Sequence, residues 1–310
     1  MKFLIKVPAT SANLGPGFDA FGLALDLWNE TTISTDAFTD SRKRTDKVFV
    51  SVRGEGAGLL PSNEKNMLVR TAQKLAERLG QSLPPFQAEC VNAIPMSSGL
   101  GSSSAAILTG LLAGNVLLGS PLNRAEILNL AAEMEGHPDN VAPAMLGGLI
   151  VAIIEDHQVV GRQIPLGSDF HVTVVLPDFY LPTKQARAAL PKRIPLKHAV
   201  YNISRAALVV EAFRSGDLTL LGQVMNDRLH QPYRLKLIPG AEAAMDAAHQ
   251  AGAEAVALSG AGPSLIAFSS KAEAGLGEAM QRAFEAEGLK SRVFHLRASG
   301  RGAEIIQKEK

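Results

Sequence analysis

The sequence predicts a two-lobed α+β fold, and three observations carry that prediction. The chain has 310 residues, enough for two units of ordinary domain size, each with its own core. Apolar residues make up 46% and charged residues 20%, which is ordinary globular composition. Strand-like and helix-like stretches alternate, but without the regular rhythm of a doubly wound sheet. The expected division is residues 1–160 for the first unit and 165–300 for the second.

In the first unit the apolar run 3–7 reads as a strand, and a Gly/Pro-rich loop, PATSANLGPGFDAFG, follows at 8–22. Further strands are expected near 22–35 and 48–53. Met67, Leu68, Ala72, Leu75, Ala76 and Leu79 recur at helical spacing, and Gly80 stops that helix. FQAECV (86–91) reads as a strand. The serine-rich stretch IPMSSGLGSSSAA (94–106) then runs into an apolar helix expected over 102–118. Residues 123–135 form a helix that Asn123 caps, with Glu126 three residues on to complete a capping box and Gly136 to end it. HPDNVAPAMLGGLIVAII (137–154) reads as a loop leading into a strand. The second unit reads as a strand at 171–176, a helix near 184–190, longer helices at 197–214 and 217–230, and a helix at 240–251. Strands at 254–258 and 264–268 then flank a glycine loop, followed by a helix at 272–287 and a strand at 291–297.

Several function classes fall away at once. A net charge of +1 provides no broad field for nucleic acid or an anionic membrane. Cys90 is the sole cysteine, so an internal disulfide or a cysteine-built metal site is excluded, and a cytoplasmic home fits. Lys6 and Pro8 interrupt the first apolar run, so no signal peptide is expected. The longest apolar stretch, 105–118, contains Gly110, Gly114 and Asn115 and is too short to span a bilayer.

The stretch 94–106 holds two glycines and five serines at the mouth of a buried helix. Glycine lets the backbone take positive φ and lets a ligand approach closely. The helix's first turn supplies unpaired N–H groups and the positive end of its dipole, and serine adds hydroxyl donors. Together these make an anion cradle of the kind that holds phosphate. A Walker A loop would need a lysine after Gly101, where Ser102 stands, and Ser104 misses the third small position of a dinucleotide fingerprint. A flexible linker is the plain alternative, but slack serves nothing between a strand and a buried helix. Two other loops are unusual. The 8–22 loop offers Asn13 and Asp19 to a ligand, or is a tight hairpin with Asx turns. LSGAGPSLIAF (258–268) is a glycine loop between two strands, or a simple β-turn.

In this order and at these separations, the three loops resemble those of the GHMP small-molecule kinases. PMSSGLGSSSAA is similar to the signature phosphate loop of that superfamily, and SGAGPS to its C-terminal glycine motif. The likeness covers nearly the whole chain. VPATSANLGPGFDAFGLAL, EMEGHPDNVAPAMLGG (133–148), LPTKQARAALPK (181–192) and PYR (232–234) resemble its homoserine kinase branch in particular. The resemblance implies an N-terminal lobe like domain 2 of ribosomal protein S5 and a ferredoxin-like C-terminal lobe. It implies ATP and Mg²⁺ as cofactors, L-homoserine as the small-molecule substrate, and transfer of the γ-phosphoryl group to the substrate's side-chain hydroxyl.

The resemblance also assigns roles. Pro95, Met96, Ser97, Ser98, Gly99, Leu100, Gly101, Ser102, Ser103, Ser104 and Ala105 would hold the nucleotide, the triphosphate mostly on backbone N–H groups. Asn66 could face the base, or serve as a helix cap. Ser103 and Glu133 would hold the metal, whereas Glu135 reads as a solvated surface glutamate. Arg187 and Arg234 would take the substrate carboxylate; Arg228 rivals Arg234 but reads as a solvated helix charge. Asp19, with Asn13 or Asn140, would take the ammonium. His137 completes the substrate loop or makes a structural hydrogen bond. Asn140 stands near the place where several relatives carry a catalytic aspartate, so Asp139 is expected to orient and not to abstract a proton. Thr183 could polarise the acceptor hydroxyl. A mevalonate- or sugar-type sibling and a non-catalytic nucleotide-binding paralogue are the alternatives; the HPDN loop and the two arginines speak against the first, and the full set of parts against the second. Kinases of this kind are often dimers, and a sheet edge in the first lobe could serve as the contact. No nucleic-acid or membrane partner is expected.

Overall fold

β1 (Lys2–Ala12) and β2 (Phe21–Ser34) pair antiparallel along nearly their whole lengths, so the loop expected over 8–22 is strand as far as Ala12 and only residues 13–20 form the turn at one end of a long hairpin. The computed structural model describes residues 1–36, 47–273 and 275–307. β3 (Val48–Gly54) lies parallel to β4 (Phe86–Asn92), which pairs with β2, and the β5 (Leu149–Glu155)–β6 (Gln158–Ile164) hairpin joins β2 further along. β11 (Glu304–Gln307) closes the other side of β1, so the end of the described chain returns to the first sheet.

Among the described residues four helices belong to this lobe: α1 (Met67–Arg78), α2 (Ser102–Leu117), α3 (Arg124–Glu135) and α4 (Pro138–Leu146). α2 and α4 pack against β1, and α1 and α3 flank α2. α2 is buried on nearly every side, which explains its unbroken apolar run. Its capping neighbour α3 starts as the sequence predicts: Asn123 accepts from Ala125 and Glu126, and Glu126 accepts from the Asn123 N–H. The stretch 137–146 differs from expectation, being a helix and not a loop. Pro138 occupies its first turn, where a missing N–H costs nothing, and Val141, Ala142, Ala144 and Met145 are buried.

The second sheet is antiparallel in the order β10 (Ser291–Leu296), β7 (His171–Pro177), β9 (Leu265–Ser269), β8 (Ala255–Leu258). Its residues alternate between two cores, as a pleated strand requires. Val172, Val174, Ile266 and Phe268 join the main core with α6 (Leu196–Ser215) and α7 (Leu218–Val224). Val175, Leu258 and Leu265 face a smaller core under α9 (Ala241–Gln250) and α10 (Leu276–Ala286). The helix expected over 217–230 stops at Val224. The Asp227 carboxylate accepts from the N–H groups of Leu229, His230 and Gln231, at 2.9, 2.8 and 2.6 Å, and the chain restarts as α8 (Gln231–Arg234). The short α5 (Thr183–Ala188) precedes α6. Among the described residues no helix is long and apolar enough to cross a membrane.

Candidate active site

The three unusual loops meet. Thr10 N–H donates to Leu100 O at 3.1 Å, and Gly260 N–H to Ala12 O at 3.1 Å. The Ser259 hydroxyl lies 2.9 Å from Ser11 Oγ and donates to Gly99 O at 2.8 Å, while Asn13 Nδ2 donates to Gly260 O at 2.8 Å. Two glycines are forced by this contact. A Cβ on Gly101 (φ +71°) would lie 2.0 Å from Thr10 Oγ1, and one on Gly99 (φ +80°) would lie 2.3 Å from Ser259 O.

Together the loops line a cleft of about 280 Å³ between the lobes. Gly101 is the N-cap of α2 and has no side chain to cap it, so the helix's opening N–H groups face a site lined by Ser97, Gly99, Ser102 and Ser103. Ser98 turns inward, bonding Pro95 O and the Leu100 N–H, and Pro95, Leu100, Ser104 and Ala105 are buried behind the lining. The expectation for Glu133 is overturned. Its carboxylate pairs with Arg78 at 2.9 Å on the exposed surface, outside the cleft. Glu135 is the one beside the phosphate loop, accepting from Ser104 Oγ at 2.9 Å and Ser103 Oγ at 3.4 Å. Two positions on a helix are about 200° apart, so only one of the pair can face the cleft.

The opposite wall carries charge. Arg187, on α5, makes two bonds to Asp19, at 2.8 and 3.0 Å. Arg234 is 1% exposed; it donates to Gly260 O at 3.2 Å, and its Nε is buried with no partner. His230 Nε2 lies 2.8 Å from Gly15 O and therefore donates, which leaves Nδ1 to accept from Arg234 at 3.4 Å. Phe18 stacks on His230 and has Arg234 on its ring at 5.2 Å and Arg187 at 5.9 Å. Burial, and then the Arg187 charge, push Arg234 down to about 10. The Asp19 hydrogen bond, outweighing burial, makes Arg187 still more basic.

The substrate-loop residues stand between these walls. His137 Nδ1 bonds Asp139 Oδ1, and Asp139 is 2% exposed. Burial alone would lower the imidazole, but the hydrogen bond and charge of Asp139 together outweigh it and raise its pKa. Asn140 Oδ1 accepts from Thr10 Oγ1 at 2.7 Å, which fixes the amide, and its Nδ2 lies 3.4 Å from Asp139 Oδ1. Asn13 is committed to the loops, because its Oδ1 also accepts the Asp19 N–H at 3.0 Å. Thr183 lines the cleft at the start of α5. Arg228 does not line it and stacks on Tyr201 at 3.9 Å.

Beyond Ser97, Ser102 and Ser103 the cleft continues into a second, mostly apolar cavity of about 220 Å³, bounded by Val52, Leu60, Met96 and Cys90. Asn66 is on its wall and caps α1, accepting the Leu68 N–H at 3.1 Å, as the cap expectation has it. The sequence reading of Glu135 as a solvated surface glutamate is corrected by its contacts with Ser103 and Ser104, and sequence reasoning passed over Phe18, Thr10 and His230. For His230 a signal existed, since it precedes Arg234 by one helical turn.

An uncapped helix start between an apolar cavity and a charged cleft suits a nucleotide-dependent small-molecule kinase, and the chain's relatives are of that class. Residues 66–148 match the GHMP kinases N terminal domain and residues 209–286 the GHMP kinases C terminal model, so the chain belongs to the GHMP kinases. Within them it falls in the homoserine kinase family. It is 43% identical over 303 residues to the homoserine kinase of Moorella thermoacetica, covering 98% of this chain and 99% of that one. The crystal structure of homoserine kinase from Cytophaga hutchinsonii superposes with a TM-score of 0.84 at 31% identity, over 98% and 97% of the two chains. The L. major mevalonate kinase, at 17% identity, TM-score 0.69 and 94% coverage of each chain, shares the fold alone.

Proposed function

We propose that this enzyme transfers the γ-phosphoryl group of ATP to the side-chain hydroxyl of L-homoserine, giving O-phospho-L-homoserine on the route to threonine, in the cytoplasm. The observation that carries the reading is the pair Arg187 and Arg234 facing Asp19 across the cleft, beside the start of α2. An α-amino acid needs guanidinium for its carboxylate and carboxylate for its ammonium. Mevalonate would offer a carboxylate to the arginines but no ammonium to Asp19.

The adenosine part lies in the apolar cavity by Asn66 and Met96, and the triphosphate tail crosses to the Gly99–Ser104 N–H groups. Ser103 and Glu135 present a hydroxyl and a carboxylate at the cleft, hard oxygens suited to Mg²⁺, with the buried Ser104 hydroxyl holding the Glu135 carboxylate in place. Bound there, Mg²⁺ would neutralise phosphate charge. Arg187, Arg234 and Asp19 seat the amino acid so that its hydroxyl comes to Asn140, whose amide Thr10 holds in one orientation. Asp139 is already engaged by His137 and Asn140, so it orients its neighbours; a loose transfer step does not require an early base, and the proton leaves late to a phosphate oxygen.

A coupled ADP-release assay with ATP, Mg²⁺ and L-homoserine, beside mevalonate, L-serine and L-threonine, tests this. L-Homoserine is expected to be turned over fastest, with O-phospho-L-homoserine as product. Turnover of mevalonate without turnover of L-homoserine overturns the reading.

A further inference from the structure

We infer that the Asp19–Arg187 ion pair is a placeholder for the substrate's two charges, and that it makes the cleft select molecules bearing both an ammonium and a carboxylate over analogues bearing only one. This inference rests on the functional reading above and concerns how that site discriminates.

The pair spans the cleft. Asp19 stands on the β1–β2 loop of the first lobe and Arg187 on α5 of the second, with two bonds of 2.8 and 3.0 Å between them. The side chains are 35% and 37% exposed, so water and a small ligand reach both. Each partner also has a like-charged neighbour. The ligating atoms of Asp19, His137 and Asp139 all lie within 4.8 Å of one another, which places a second carboxylate beside Asp19. Arg187 shares the Phe18 ring with Arg234, whose Nε has no partner. The pair therefore screens two repulsions at once.

A zwitterion opens the pair without loss. Its ammonium replaces Arg187 on Asp19, its carboxylate replaces Asp19 on Arg187, and every charge stays partnered. A ligand with one charge takes one partner and strands the other beside its like-charged neighbour. Its disadvantage is then the missing contact plus the stranded charge, which is discrimination by an unfavourable state and not by attraction alone.

A gain of binding follows when the stranded group is removed. Asp19→Asn frees Arg187 and leaves no carboxylate to strand. Asparagine tolerates the left-handed backbone at position 19 (φ 56°), and the Asp19 N–H to Asn13 bond is a backbone donation that the change leaves intact. By calorimetry, 4-hydroxybutyrate should bind Asp19→Asn about three- to tenfold more tightly than wild type, the scale of one half-exposed ion pair. The kcat/KM for L-homoserine should meanwhile fall about 10- to 100-fold. In the reciprocal arm, Arg187→Gln should tighten 3-aminopropan-1-ol by a similar factor while also losing L-homoserine turnover. If either folded variant, with a wild-type circular dichroism spectrum, binds its single-charge ligand no better than wild type, the placeholder is refuted. If one variant does not fold, the other arm decides. A wild-type enzyme inactive on L-homoserine would instead remove the functional reading, and this inference with it.

Discussion

Glu133 and Glu135 stand two residues apart on one helix and make opposite predictions. Glu135 lies at the C-terminal end of α3, where the helix dipole disfavours a carboxylate, yet it sits against Ser103 and Ser104. Glu135→Gln keeps the shape of the side chain and one of its two acceptor oxygens, which can still take the shorter Ser104 bond, and removes the charge. If that charge helps hold Mg²⁺, the Mg²⁺ concentration giving half-maximal kcat should rise about 10- to 100-fold, the usual effect of disturbing a metal's surroundings. The fold should not suffer, since relief of the dipole contributes about 0.3–1 kcal/mol in the stabilising direction. Glu133→Gln breaks only an exposed pair with Arg78, whose side chains are 59% and 53% exposed. It should cost at most about 1 kcal/mol and leave the Mg²⁺ dependence untouched. The assay is ADP release at fixed ATP and L-homoserine across a Mg²⁺ titration, with thermal unfolding of both variants. A shifted Mg²⁺ requirement in Glu133→Gln and none in Glu135→Gln would refute the assignment.

Three other outcomes are expected. Gly101→Ala should destabilise the fold by about 2–3 kcal/mol in urea unfolding, from a left-handed Cβ and the displaced Thr10–Asn140 bond; a loss under about 0.5 kcal/mol would show that Thr10 yields freely. Arg234→Met should cut kcat/KM for L-homoserine about 100-fold without lowering the unfolding temperature. At about 10 its pKa is below the ordinary arginine value, so the unfolded chain holds the proton more tightly; the charge costs stability at every pH below about 10, and the cost fades as pH rises above that toward the ordinary value. A clear drop in unfolding temperature would contradict this. His137→Gln should flatten the pH dependence of stability. The raised imidazole contributes most below its ordinary value of 6.5 and loses that contribution as pH climbs through the raised value; urea midpoints that decline alike in both proteins above pH 6.5 would rule out the Asp139 pairing as the cause.

The phosphate loop was legible because glycines, serines and a following apolar run have few other uses together, and the capping box at Asn123 because its spacing is local. Glu135 was not legible. Helix periodicity places both glutamates beside the apolar stripe, and only the end of α3 against α2 decides which faces the cleft. The α4 helix was hidden by its two prolines, although Pro138 is at the one turn that tolerates it and Pro143 lies within the helix. The Phe18 stack was invisible for a different reason: it joins residues 18, 187, 230 and 234, and separations of that length leave no period to read.

Those long separations also explain why the loops carry so little freedom. Ser259 ties Ser11 to Gly99, Asn13 ties Asp19 to Gly260, and Gly260 O receives Arg234 as well. The same backbone atoms that shape the turn into α2 thus position Arg234. Moving one loop relative to another would break bonds in all three, so the spacing between the start of α2 and the Arg234 side of the cleft is set by the fold. Preorganisation of this kind is what a transfer with no committed base must rely on, because positioning and charge are then the only terms left to lower the barrier.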